Sequence, residues 1–123
     1  MLTQTIKANE KIYQIKIDDK FTQADMKAYA QELEDAIAKV GQIRLLIVMN
    51  QFPKIEPAAF WEDLKFSVKH FKDIERIALV GQPEWEKWYA NLVDMLPNIK
   101  VKHFYLSNMR TAYNWLNEDL KTE

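Results

Sequence analysis

The chain has no cysteine, only two glycines among 123 residues, and no excess of charge of either sign. Each shortage removes a class of function. Without cysteine there are no disulfides, no thiolate zinc sites and no cysteine nucleophile, and a reducing compartment is the natural setting. Two glycines are too few for a phosphate cradle, in which several must let the backbone close on the ligand. The turn Gly81-Gln82-Pro83-Glu84 has just one. A formal net charge of -1 argues against nucleic acid as a partner, because phosphate neutralisation requires a basic excess. The opening stretch from Met1 to Lys11 is polar and alternating, too short of apolar residues for export or a membrane span. The expectation is a cytoplasmic protein, with docking on a membrane surface as an option.

What the chain does have is apolar and aromatic weight. Hydrophobic residues make up 48% and charged residues 28%, a balance that folds rather than stays disordered. The length suits one domain over residues 1–123, and no linker, repeat or low-complexity stretch suggests a boundary.

Leu2 to Lys7 and Lys11 to Ile17 carry apolar residues near every second position around the turn-like Ala8-Asn9-Glu10, which predicts a β-hairpin. Thr22 followed by Asp25 resembles a capping box. The helix it opens carries Met26, Tyr29, Ala30, Leu33, Ala36, Ile37 and Val40 on one face and ends near Gly41. Ile43 to Met49 is almost wholly apolar and predicts a central strand covered on both faces. Pro57 and Pro83 sit where a missing N–H costs nothing, so each opens a helix, with a strand from Arg76 to Val80 between them. Ile99 to Leu106 predicts a last strand, and Ser107 or Asn108 caps a helix carrying Met109, Ala112, Tyr113, Leu116 and Leu120. The order β-β-α-β-α-β-α-β-α predicts an α/β fold with a mixed, mainly parallel sheet of about five strands and four helices.

The helices after the third and fourth strands hold the candidate functional residues. One carries Phe60, Trp61, Leu64, Phe66, Val68 and Phe71, the other Trp85, Trp88, Tyr89, Leu92, Val93, Met95 and Leu96. Both stand over the carboxyl end of the sheet, where open α/β folds bind ligands. The candidate lining of an apolar site is Phe52, Phe60, Trp61, Leu64, Trp85, Trp88, Tyr89 and Leu92. Phe66 projects away from the apolar face. With Lys65, Lys69 and Lys72 at helical spacing it forms a candidate membrane-surface patch.

Catalytic signals are thin. Asp63, Ser67 and His70 fall on one strip of a helix, yet residues one turn apart rarely reach triad geometry, and no strand-to-helix elbow presents the serine. No catalytic residue is assigned. His103 lies in the last strand, far from His70 and without a spaced carboxylate motif, so neither a metal nor a cofactor is expected.

Gly41 to Asn50 (GQIRLLIVMN), Phe60 to Lys65 (FWEDLK), Arg76 to Gly81 (RIALVG) followed by Trp85, and Met109 to Leu116 (MRTAYNWL) together resemble the SpoIIAA-like family of small bacterial proteins, related in fold to STAS and CRAL-TRIO domains. The resemblance spans roughly Leu2 to Leu116. It implies a sheet flanked by helices, with those after the third and fourth strands bordering a nonpolar cavity. One departure matters: STAS anti-sigma-factor antagonists are switched at a serine or threonine before the second helix, whereas Asn50 to Glu56 contains no hydroxyl. The resemblance therefore implies non-enzymatic binding or transport of a small lipid-like molecule. The alternatives are a STAS-like interaction module, with a homodimer among its forms, and an interfacially activated hydrolase using Ser67 and His70.

Overall fold

The computed structural model describes residues 11–51, 54–82 and 85–118. Four strands and four helices alternate: β1 (Ile12–Ile17), α1 (Gln23–Val40), β2 (Ile43–Met49), α2 (Pro57–Ser67), β3 (Ile74–Gly81), α3 (Trp85–Met95), β4 (Lys100–Tyr105) and α4 (Met109–Asn117). The described sheet runs β1-β2-β3-β4, and every neighbouring pair is parallel. The antiparallel strand expected over Leu2 to Lys7 lies outside the described residues.

A sheet whose order follows the sequence, built with right-handed crossovers, sends each connecting helix to the same face. The packing agrees. Ile15, Ile17, Ile43, Leu45, Ile47, Met49, Ile77 and Leu79 meet buried residues of α1, α2 and α3 in one cluster. Ile12, Leu46, Val48, Ala78, Val80 and Phe104 meet Ala112 and Leu116 of α4 in the other. All seven residues of β2 are buried, the consequence of helices on both sides. The described order contains no reversal, so the four described strands form no switch-point crevice of the kind that binds nucleotides in doubly wound folds.

The local signals of α1 are realised in full. Thr22 accepts a hydrogen bond from the Asp25 N–H, the Asp25 carboxylate accepts one from the Thr22 N–H, and Gly41 closes the helix at φ +94°. Pro57 occupies the first turn of α2. Pro83 lies outside the described residues. Asn108 stands at the N-cap of α4 but makes no side-chain cap bond; a 3-10 turn, Leu106–Asn108, feeds the helix directly.

The length of α2 departs from expectation. A helix reaching Phe71 would have kept Val68, Lys69, His70, Phe71 and Lys72 in register. Instead Val68 turns extended (φ -106°, ψ 107°), and Phe71–Asp73 forms a separate 3-10 turn. The cause lies on α1. Glu34 accepts the His70 backbone N–H at 2.8 Å and contacts the His70 ring Nδ1 at 2.8 Å, satisfying that donor outside the helix. Lys69 thus lies beyond the end of α2 and Lys72 in the separate 3-10 turn, so the expected basic stripe is not one helix face.

Candidate functional site

The described members of the proposed lining come together, but as packed core. Phe60, Trp61, Leu64, Trp88 and Leu92 are each at most 5% exposed. The Phe60, Trp61 and Trp88 rings stand edge to face, with centroids 5.1, 5.3 and 5.8 Å apart, in the arrangement that aromatic quadrupoles prefer. The Trp61 indole N–H donates to the Trp88 carbonyl at 2.8 Å, so the polar edge of the ring is satisfied inside the fold. Tyr89 is half-buried; its hydroxyl donates to the Val101 carbonyl at 3.3 Å and its ring meets His103 at 4.9 Å. Phe52 and the side chain of Trp85 lie outside the described residues.

The cluster extends beyond the residues the sequence singles out. Phe21, just before α1, stacks on Tyr29 with centroids 6.0 Å apart and tilts against Phe60 at 5.4 Å. Phe21 and Phe60 also line an open groove of about 330 Å³ at the carboxyl end of the sheet, rimmed by Asp19, Lys54, Ile55 and Asp63. Among the described residues of the proposed lining, Phe60 alone reaches this groove. Phe21 escaped notice because it stands outside any periodic segment.

The strip of Asp63, Ser67 and His70 is dispersed. Asp63 accepts from the Gln23 side chain at 3.0 Å, His70 is bound to Glu34, and no Ser67–His70 hydrogen bond occurs among the described residues. Glu34 and His70 form a clamp between α1 and the end of α2. The hydrogen bond from His70 holds the Glu34 carboxyl below its ordinary value, against a smaller opposing push from burial. A lowered carboxyl favours the folded state above the ordinary carboxylate range, and that contribution disappears as pH falls through the folded value. Glu34→Gln should therefore lower the urea midpoint at neutral pH and converge on wild type once the pH has fallen through the lowered Glu34 value. Equal midpoints at pH 7 would count against the clamp.

Burial lowers the His103 pKa, with the Glu86 charge opposing. The half-buried ring belongs to the sheet face beneath α3, as the strand alternation predicts. Among the described residues no cluster of three or more His, Asp or Glu side chains could hold a metal ion, and no helix is long and apolar enough to cross a membrane.

The sequence reading missed Arg44 and Arg76, neighbours across β2 and β3 on the face under α4. They are 7% and 6% exposed. Arg44 donates to the Leu116 and Glu118 carbonyls and to Glu75; Arg76 donates to the Trp115 carbonyl and Glu118, and stands 5.0 Å from the Trp115 ring centroid. Two guanidiniums thus meet the carbonyl end of α4, where cations are favoured. The signal was a cation inside an apolar run, which cannot be buried without partners.

The membrane-surface candidates divide. Phe66 is 89% exposed, close to complete, and with Lys65 and Lys69 it lines a groove of about 500 Å³ that also involves Glu62, Val68 and Met95. Lys72 joins Lys65 at a separate groove of about 170 Å³ beside Phe71 and Pro97. No curated protein and no solved structure gives a match to the chain. The family model described as SpoIIAA-like matches residues 12–117, which takes in all four described strands and all four helices. The chain belongs to the SpoIIAA-like family.

Proposed function

We propose that this domain is a protein-interaction or regulatory module whose contact surface centres on Phe66. The carrying observation is the contrast within α2 and α3. Their other described aromatics are buried or half-buried, whereas Phe66 remains 89% exposed. A large apolar side chain opposite the core adds nothing to folding, and Phe66 lines a groove with Met95 that offers apolar surface to a partner. Family membership supports the same reading, since STAS-type domains suggest a regulatory or interaction role. The loop before α2 lacks a hydroxyl, so control by phosphorylation there is not part of the proposal.

The second reading is binding of a lipid-like molecule, with transient membrane association. In its favour, the aromatic cluster meets the open groove of about 330 Å³ through Phe21 and Phe60. Access to Trp61 and Trp88 would require α2 and α3 to part. Intrinsic tryptophan emission separates the two readings. The interaction module predicts unchanged emission on titration with oleate or with vesicles of neutral and anionic lipid, whereas a carrier predicts a blue shift. Phe66→Asp should leave stability within about 0.5 kcal/mol of wild type, as expected for an exposed site. It should also abolish capture of the binding partner. A blue shift with oleate, together with retained partner capture by Phe66→Asp, would favour the carrier.

A further inference from the structure

We propose that the Phe66 face of α2 is a self-association surface, on which a second copy of this chain lays its own α2 antiparallel. This rests on the interaction-module reading and names the partner. The buried residues of α2, Phe60, Trp61 and Leu64, define its inner side. At 100° per residue Phe66 falls almost diametrically opposite. Among the described residues no element covers it.

The choice of occupant follows from the charges beside Phe66. Glu62 lies one turn before it and Lys69 just past the end of the helix, and all three line the same groove of about 500 Å³. The patch is therefore negative at one end, aromatic in the middle with Lys65 beside the ring, and positive at the other. A two-fold axis through Phe66 stacks the two rings and brings Glu62 against the partner's Lys69 and Lys69 against the partner's Glu62. Such self-complementarity is the requirement for an isologous contact. Neither Glu62 nor Lys69 forms an ion pair among the described residues of the single chain. An anionic bilayer or an acidic helix would find Lys65 and Lys69 but would be opposed by Glu62.

The contact is small. A buried Phe removes about 150–250 Å² from water, so two of them supply about 300–500 Å², well short of the roughly 1,200–2,000 Å² typical of stable interfaces. A weak dimer follows, formed at high concentration and loosened by salt.

Sedimentation velocity over a wide concentration range tests this with the full chain. Wild type should show a concentration-dependent dimer, and Phe66→Asp should weaken it at least about tenfold while leaving the urea midpoint unchanged. Glu62→Lys and Lys69→Glu should each weaken self-association by about tenfold, because each homodimer then opposes like charges. Mixed together, the two variants should associate as well as wild type, since each meets an opposite charge at both ends. A chain that stays monomeric throughout overturns the proposal, as does a dimer indifferent to Phe66→Asp or to the charge reversals. If a monomeric chain shows Phe66-dependent crosslinking to another protein in a cell extract, self-association fails while the interaction-module reading stands. Phe66-dependent binding to vesicles of neutral and anionic lipid overturns both and assigns the face to a bilayer.

Discussion

Trp61→Ala should destabilise the protein by about 4 kcal/mol, the largest single loss anticipated in the fold. Trp61 is 1% exposed and touches Phe60 and Trp88 edge to face, so truncation opens a cavity among rigid rings. The loss extends to a polar group. The indole N–H now donates to the Trp88 carbonyl at 2.8 Å, and without it a buried acceptor is left unsatisfied at about 1–3 kcal/mol. Trp61→Phe keeps much of the volume but not the donor, and should fall between alanine and wild type. For a domain with about 5–15 kcal/mol of total stability, the alanine variant gives up a large share. Urea unfolding provides the measurement. A loss below about 1 kcal/mol would mean that α2 and α3 are not closed on each other in the resting protein, reviving the carrier reading.

The parts of the fold that could be read in the sequence are those decided by neighbours in the chain. The start of α1 is one case, because Thr22 and Asp25 satisfy each other's backbone donors regardless of the rest of the molecule. The strand Ile43–Met49 is another, since an unbroken apolar run must be covered on both faces. The end of α2 was illegible because it is set by Glu34, which reaches His70 from thirty-six residues away in sequence. Strand order was likewise undetermined, and with it the placement of α1, α2 and α3 on one face. Phe60 and Trp61 of α2 do meet Trp88 of α3 in the structure. Their count measures apolar area, however, and says nothing about whether that area is filled by other side chains or left as a cavity. Phe66 was readable as off the apolar face because it lies outside the helical stripe. Arg44 and Arg76 were lost for the opposite reason, their charge averaged into hydrophobic segments that looked uniform.

Those two arginines carry the second large effect: Arg44→Ala should cost about 3 kcal/mol and loosen α4 in particular. The Arg44 guanidinium donates from Nη1 to the Leu116 and Glu118 carbonyls at 3.0 and 2.7 Å, and from Nε to Glu75 at 3.0 Å. Its removal strands carbonyls at the end of α4 and leaves Glu75 without its cation. The terminal carbonyls of a helix have no partners within it, so they depend on such donors where water is excluded. Two factors moderate the loss. Glu75 is 28% exposed, so water partly solvates its freed charge, and the deletion relieves repulsion from Arg76 across the sheet. Arg44→Met, which keeps the aliphatic stem, should lose less than alanine. Glu118→Gln should lose under about 0.5 kcal/mol, because its side chain is 60% exposed and its pairing with Arg76 is screened. Since α4 packs on a face separate from α1, α2 and α3, faster hydrogen exchange should concentrate in residues 109–117. Wild-type stability in Arg44→Ala, with slow exchange retained in α4, would show that the helix is held by Ala112 and Leu116 alone.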